Sequence, residues 1–164
     1  MVATTQKSVE YTQFGVDASA LYPDQLYGQV QIAYFAHDQS GAGDATSSVA
    51  VCKLPPGRVR LLLPSSVVWC NWTTASATLD LGWDAYTALS DGAAVTADPD
   101  GLIDGLNVDT AGYFRFDSTI AARRLTGGTM LFESRDGVVI RATSQDVAIV
   151  SGDDLAGYLM FVKN

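Results

Sequence analysis

Histidine, the side chain best suited to acid–base chemistry near neutral pH, occurs once in this sequence. His37 precedes Asp38 and lies in a polar stretch that contains Gly41. A Ser-His-Asp or Cys-His enzyme would have to use His37 as its base, because the nucleophile needs a partner of suitable pKa. No serine lies in the glycine pattern of a nucleophile elbow. We therefore predict an exposed loop histidine and a chain that is not an enzyme.

A second candidate catalytic site consists of carboxylates close in sequence to aromatic side chains. Asp80 and Asp84 lie close in sequence to Trp83 and Tyr86, which could stack on sugar rings. A glycosidase needs two acids across a sugar site, one of them with a raised pKa. However, successive side chains of a strand point to opposite faces, so Asp80 should lie on the other face from its apolar neighbours and point into solvent. The sequence therefore disfavours a glycosidase site.

The clearest candidate for a metal site is the stretch of residues 98–104, DPDGLID. Oxygen ligands from Asp98, Asp100 and Asp104 around a glycine suit calcium. The spacing departs from an EF-hand loop, because the third acid comes late and no glutamate stands at the twelfth position. Asp-Pro-Asp-Gly is also an ordinary turn, since proline fixes φ and glycine accepts positive φ. We expect a structural turn without metal or cofactor, and calcium remains the alternative.

The two cysteines, Cys52 and Cys70, are too few for a disulfide framework and lack metal-ligand spacing. Each lies in an apolar stretch, which predicts two buried thiols. A single bridge between adjacent strands stays open as the alternative.

The charge balance narrows the range of partners. The 164 residues carry a net charge of −8, whereas nucleic acid and anionic membranes are bound by excess Lys and Arg. Neither is therefore an expected partner. The N-terminus is polar and no apolar run approaches the roughly 20 residues of a membrane span, so we expect synthesis in a cytoplasm. Four arginines could bind an acidic partner surface or lie solvated: Arg58, Arg60, Arg123 and Arg124.

The elements that must position these residues are strands. Sixteen of the 18 acids are aspartates and there are 15 glycines; both residue types favour turns over helices. From residue 28 onward, short apolar or alternating runs are separated by turn residues, and Asp136-Gly137 indicates a hairpin between residues 130–133 and 138–143. We predict an all-β body over residues 28–164, a β-sandwich, jelly roll or barrel, with most aromatic residues in its core.

Residues 1–27 differ from the rest of the chain. Residues 1–8 are polar, the apolar residues that follow have neither helical nor strand periodicity, and Pro23 interrupts any helix. We predict an extended N-terminal arm that packs on its own domain or lies across a neighbour. Its candidate anchors on a neighbouring subunit are Tyr11, Phe14, Leu21, Tyr22, Leu26 and Tyr27.

Several stretches of the chain carry a resemblance to one class of proteins. They are residues 20–27 (ALYPDQLY), 60–64 (RLLLP), 79–82 (LDLG), 98–106 (DPDGLIDGL), 131–134 (LFES) and 157–159 (GYL). In these stretches the chain resembles the capsid cement, or decoration, proteins of tailed bacteriophages, which stabilise the head.

The resemblance implies a β-rich body, an N-terminal arm across subunits of the major capsid protein, and self-association, commonly as a homotrimer. It also implies a virion protein that is made in the bacterial cytoplasm and has no catalytic residues. The alternative is a carbohydrate- or receptor-binding β-module of a phage tail or fibre. That alternative predicts that Trp72 or Trp83 is exposed near aspartates.

Overall fold

The computed structural model describes residues 29–72, 74–120 and 127–163. Within these ranges the regular structure is antiparallel β-sheet with one 3-10 turn, Leu63–Ser65, and no α-helix. The strands are β1 (Val30–His37), β2 (Ser48–Leu54), β3 (Gly57–Leu62), β4 (Val67–Cys70), β5 (Thr78–Trp83), β6 (Tyr86–Thr87), β7 (Ala94–Val95), β8 (Asp98–Asn107), β9 (Gly112–Arg115), β10 (Thr129–Ser134), β11 (Val138–Ser144) and β12 (Leu155–Lys163).

The first sheet is organised around β12. β1 pairs with one edge of β12, from Val30 opposite Val162 to His37 opposite Leu155. The other edge of β12 pairs with β4 and then with β3, which follow one another along the same line on either side of the 3-10 turn. β9 pairs with β4, and β10 pairs with β3. The six strands therefore form four rows: β1, β12, β3 with β4, and β10 with β9.

The second sheet contains β2, β11, β5 and β8 in that order, and β6 and β7 form a separate two-stranded ribbon. The chain crosses repeatedly between the two larger sheets, because β1 and β2, β4 and β5, and β10 and β11 each lie in opposite sheets. Two four-row antiparallel sheets connected in this way form a jelly roll. The predicted all-β sandwich is thus confirmed for the part of the chain that the structure describes.

One hydrophobic core fills the space between the two sheets. Leu61 and Leu159 of the first sheet and Leu81 and Ile140 of the second are fully buried in it. Leu61, Leu159 and Ile140 alternate along their strands with more exposed residues, as the period of two requires, whereas the neighbours of Leu81 in β5 are buried as well. Burial of each such side chain stabilises the fold by about 1.5–3 kcal/mol, so the core holds the sheets together.

Residues 98–101 do not form the predicted turn. They begin β8, an edge strand that pairs with β5 through two register shifts. Pro99 is tolerated there because an edge strand needs no N–H donor on its open side. Gly101 allows β8 to approach Trp83 closely, since a Cβ at this position would lie 2.3 Å from the indole ring. The turn that we expected here is therefore part of a bulged strand.

Asp136 and Gly137 turn the chain as predicted, but they do not close a hairpin. Gly137 has a φ of +87°, and Ser134 Oγ donates to its carbonyl oxygen at 2.9 Å. β10 pairs with β3, whereas β11 pairs with β2 and β5, so this turn carries the chain from one sheet to the other. The predicted pairing was wrong because a local turn signal does not specify which sheet each flanking strand joins.

Candidate assembly surface

The side of the first sheet that faces away from the core is largely apolar. In β1, Phe35 points into the core, whereas Val30, Ile32 and Tyr34 point outward and are 50 %, 47 % and 76 % exposed. β1 is an edge strand without a charged residue. Long apolar edge strands are sites of association unless something covers them. We call the outward side chains of the six strands of this sheet the outer face.

Two aromatic pairs lie side by side on the outer face. Tyr34 is opposite Tyr158 on β12, and their ring centroids are 6.1 Å apart in an edge-to-face arrangement with an interplanar angle of 61°. One step along the sheet, Trp69 on β4 is opposite Tyr113 on β9. Trp69 is half-buried and Tyr113 is 78 % exposed. Aromatic pairs of this kind are stiff, large apolar contacts of the sort that protein interfaces use.

The apolar area continues between these pairs. Val67 lies opposite Tyr158, and Met160 lies opposite Ile32; both Val67 and Met160 are half-buried. A contiguous exposed apolar area on a folded chain marks a surface that binds another macromolecule.

Arginines accompany the apolar side chains on the outer face. Arg58 Nε lies 2.8 Å from Glu133 Oε1, Arg60 is opposite Val162, and Arg115 is opposite Val67. Among the described residues, the outward positions of the six strands carry three arginines and one glutamate. Two of these arginines are paired with acids, because Arg58 contacts Glu133 and Arg115 Nε lies 3.3 Å from Oδ1 of the buried Asp117.

Comparison of the sequence with known protein families and with curated proteins finds no match. Comparison of the structure with solved structures finds viral capsid proteins. A chain of the cyanophage Pam1 capsid asymmetric unit has a TM-score of 0.52 and 15 % identity, over 84 % of this chain and 86 % of that chain. VP2 of the infectious bursal disease virus subviral particle has a TM-score of 0.50 and 10 % identity, over 85 % of this chain and 34 % of that chain. The fold is that of viral capsid jelly rolls.

The two similarities differ in extent. This chain spans about a third of the VP2 chain, so the jelly roll corresponds there to one part of a larger protein. The Pam1 chain and this chain cover each other almost equally, so the two are of similar length. At these identities the similarity concerns the fold alone.

His37 does not lie in a loop. It is the last residue of β1 and is half-buried, because β1 continues into the start of the polar stretch. Its Nε2 donates to Gln39 Oε1 at 3.0 Å, and Gln39 Nε2 donates to the carbonyl oxygen of Gly41 at 3.1 Å. These bonds order the chain where the jelly roll leaves its first strand.

Asp80 and Asp84 have different environments. Asp80 is buried, contrary to the expectation that it points into solvent, and Gly105 N–H of β8 donates to Asp80 Oδ1 at 2.7 Å. Burial raises the pKa of Asp80, and the nearby Asp100 and Asp104 raise it further. Asp84 is held by Arg141, whose hydrogen bonds lower the pKa of the Asp84 carboxyl. Both acids therefore have structural hydrogen-bond partners.

The candidate calcium ligands lie along β8 rather than around a loop. Asp98 begins the strand, while Asp100 and Asp104 are exposed. The N–H of Asp104 donates to Thr119 Oγ1 at 2.8 Å. Within residues 29–72, 74–120 and 127–163, no group of three or more His, Cys, Asp or Glu side chains is placed to hold a metal ion.

Both cysteines are free thiols. Cys70 is buried in β4 of the first sheet, and Cys52 is half-buried in β2 of the second. The prediction of two buried thiols is confirmed for Cys70, whereas Cys52 is only half-buried. The alternative of a bridge between adjacent strands is wrong, because the two strands belong to different sheets.

Trp72 and Trp83 are not available as sugar-binding platforms. They are 2 % and 7 % exposed, and the Trp83 ring packs edge-on against Phe132 with centroids 5.3 Å apart. The carbohydrate-binding alternative predicts that one of these residues is exposed, and this prediction is wrong because both are buried. In the strands of the first sheet, the aromatics that face outward are Tyr34, Trp69, Tyr113 and Tyr158.

The predicted arm anchors fall outside the described residues. These are Tyr11, Phe14, Leu21, Tyr22, Leu26 and Tyr27, and Arg123 and Arg124 lie outside as well. In the described ranges no helix is long and apolar enough to cross a membrane.

Sequence reasoning missed the outer face, because it assigned nearly all aromatics to the core. The sequence nevertheless contains a signal that the outer face is apolar. The strands β4 (VVWC) and β12 (LAGYLMFVK) are apolar at both alternating sets of positions. A strand with one side in solvent alternates between polar and apolar residues, so continuous apolar character indicates that both sides are covered.

Proposed function

We propose that this chain is a structural virion protein that binds the outer surface of a capsid and bridges subunits of the major capsid protein. The observation that carries the proposal is the similarity to a chain of similar length in the capsid asymmetric unit of the cyanophage Pam1. The exposed apolar side chains of the outer face support it, because a lattice protein must bury surface against neighbours. In this proposal the protein is made in the bacterial cytoplasm and resides on the virion.

Bridging stabilises a head by a simple physical route. A filled head is under outward pressure, and the seams between capsid subunits are its weak points. A protein that buries apolar surface on both sides of a seam gains about 25 cal/mol for each Å² removed from water. When several copies are joined to one another, modest contacts per copy add through effective concentration. Self-association as a homotrimer therefore belongs to the proposal.

The N-terminal arm supplies reach in this proposal. An extended chain spans about 3.3 Å per residue, so residues 1–27 can cover on the order of 90 Å, enough to touch more than one capsid subunit. The proposed contacts of the arm with capsid or neighbouring subunits are its large apolar residues, Tyr11, Phe14, Leu21, Tyr22, Leu26 and Tyr27.

Deletion of residues 1–27 tests the role of the arm. We expect the shortened chain to be lost from purified virions, because the arm anchors are gone. The jelly-roll core starts at Phe35, so the circular dichroism spectrum and the cooperative melting should be retained. Quantitative mass spectrometry of virions measures occupancy. Val150→Ser is the matched control, since Val150 is a 44 % exposed apolar residue in a loop of the body, and it should leave occupancy unchanged.

Full occupancy of the shortened chain on virions would contradict the role of the arm. Absence of the full-length chain from virions would contradict the proposed function as a whole.

A further inference from the structure

One end of the jelly roll holds four of the connections between the two sheets. In the first sheet, His37 at the end of β1 and Cys70 at the end of β4 both lie opposite Leu155, the first residue of β12. In the second sheet, the end of β11 lies opposite the start of β5. Backbone hydrogen bonds join the connections to one another, among them the bond from Gly43 N–H to the carbonyl oxygen of Ile149 at 2.8 Å. The four connections are residues 38–47, 71–77, 108–111 and 145–154.

This end is strongly acidic, and we call it the aspartate end. Its connections carry six aspartates, and neither the connections nor the two strand residues on either side of each contain a lysine or an arginine. Four of the six are exposed, and within the part of the chain that the structure describes none of the six forms an ion pair. The exposed carboxylates therefore depend on water, rather than on a basic partner, for their solvation. The six are Asp38, Asp44, Asp109, Asp146, Asp153 and Asp154.

The opposite end is the one at which the arm joins the body, and we call it the arm end. Val30 at the start of β1 lies opposite Val162, so the chain enters the first sheet beside the end of β12. The connections at this end are residues 55–56, 84–97 and 135–137. Together with the two strand residues on either side of each connection and the last two residues of β12, this end carries five acids and four bases, so its charges nearly balance. They are Asp84, Asp91, Asp98, Glu133 and Asp136 against Lys53, Arg58, Arg135 and Lys163.

The connection 84–97 gives the arm end an ordered contact element. It contains the β6–β7 ribbon, which is fastened to the end of β10, because Leu89 N–H donates to the carbonyl oxygen of Glu133 at 3.0 Å. Arg135 N–H donates in turn to the carbonyl oxygen of Thr87, also at 3.0 Å. Leu89 is an apolar residue of this connection and is 38 % exposed. A surface that is already ordered loses little conformational entropy when it binds.

We infer that the protein contacts the shell with its arm end and keeps its aspartate end in water. The inference rests on the proposed function, because it names the surface by which the chain binds a capsid. Burial of the aspartate end would take carboxylates out of water, which is unfavourable unless the shell supplies a matching cation for them. Aspartate is also depleted in protein interfaces. The arm end requires no such match, so it fits a protein surface of mixed charge, and it lies where the arm begins.

The lysines of the body allow a test on the native chain. Lys53 and Lys163, the only lysines in residues 28–164, are both exposed and both lie at the arm end. Acetylation by an N-hydroxysuccinimide ester labels the lysines, and carbodiimide coupling to glycinamide labels the exposed aspartates. Peptide mass spectrometry gives the labelling rate at each residue in the free chain and on intact purified virions. On virions we expect both lysines to lose most of their labelling, while the four exposed residues of the aspartate end keep the rates of the free chain.

Two other labelling patterns would overturn the inference alone. They are protection of the aspartates on virions, and lysines that react on virions as fast as in the free chain. In both cases the proposed function would stand, because the chain would still be counted on the particle. Absence of the chain from virions would instead overturn the proposed function, and the inference with it.

A matched pair of insertions tests the two ends independently. The same short glycine-serine segment is placed between Gly41 and Ala42 at the aspartate end, or between Ser90 and Asp91 at the arm end. All four residues are exposed and lie outside the strands, so both chains should keep the cooperative melting of the native chain. Occupancy on virions should be unchanged for the first insertion and fall strongly for the second. Equal occupancy of the two chains, or loss of the first alone, would contradict the inference.

Discussion

Burial controls the chemistry of the two thiols at the scale of single residues. Burial raises the pKa of Cys70 to about 12 and that of Cys52 to about 11. The thiolate is the reactive form of cysteine, so neither residue is a nucleophile near neutral pH. This state of the thiols suits a protein that works through its surface.

We predict that neither thiol is alkylated readily by iodoacetamide in the folded chain at about pH 8. For Cys52 the rise of the pKa from 9.0 to about 11 lowers the thiolate fraction about 100-fold relative to an exposed thiol. Intact mass after timed alkylation measures the reaction. The chain denatured in urea is the control and should take up two labels. Fast labelling of Cys70 in the native chain would mean that β4 is not packed as the structure shows.

At the scale of elements, one ion pair ties three strands of the second sheet together. Arg141 on β11 donates from Nε and Nη2 to the two carboxylate oxygens of Asp84, at 2.7 and 2.6 Å. It also donates from Nη1 to Ser48 Oγ on β2 at 3.2 Å. Asp84 directly follows β5, so the guanidinium links β11 to both of its neighbours in the sheet.

Asp84→Asn should destabilise the chain by about 0.5–1 kcal/mol at neutral pH, a modest value because both side chains are about one-third exposed and water screens the pair. The hydrogen bonds from Arg141 lower the pKa of Asp84 in the folded state. Their stabilisation is therefore present above the unfolded pKa of 3.8 and is lost as the pH falls through the lower folded value.

Urea unfolding at neutral pH and at successively lower pH checks this prediction. The difference between Asp84→Asn and the native chain should shrink as the pH falls below about 3.8. Asp38→Asn, at an exposed position, is the matched control and should show almost no difference. A difference that stays constant down to strongly acidic pH would contradict the role given to the Asp84 charge.

The strands themselves could be predicted from the sequence, whereas several of their pairings could not. Short apolar runs bounded by turn residues indicate β4 and β11 directly. The Asp136-Gly137 turn is local and was found, but the sheet that each flanking strand joins depends on contacts far apart in sequence. Pro99 suggested a turn, because proline is excluded from the middle of a sheet. It is tolerated in β8 because β8 is an edge strand, and the order of strands in a sheet cannot be seen in the local sequence.

The candidate site was less predictable than the fold, for a related reason. Tyr113 and Phe114 are adjacent aromatics in β9, yet one is 78 % exposed and the other packs against the core. Which of the two faces outward depends on the register between β9 and β4. Composition alone placed both in the core. The arm anchors are a separate case, because they lie outside the described residues and stay a prediction.

At the scale of the whole molecule, the jelly roll has two apolar regions with different roles. The core between the sheets is buried, whereas the outer face carries large apolar side chains that are exposed, among them Tyr34 and Tyr113. In the proposed lattice role, this exposed apolar surface is what the chain would bury against its neighbours.

Counting copies of the chain in purified virions tests its proposed place in a capsid lattice most directly. Quantitative mass spectrometry against labelled standard peptides, with the major capsid protein as internal reference, gives the copy number per particle. A lattice protein repeats with the symmetry of the shell, so we expect on the order of hundreds of copies per virion. A count of only a few copies would place the chain at a tail or portal, and a count of zero would remove it from the virion; either result contradicts a role in stabilising the head.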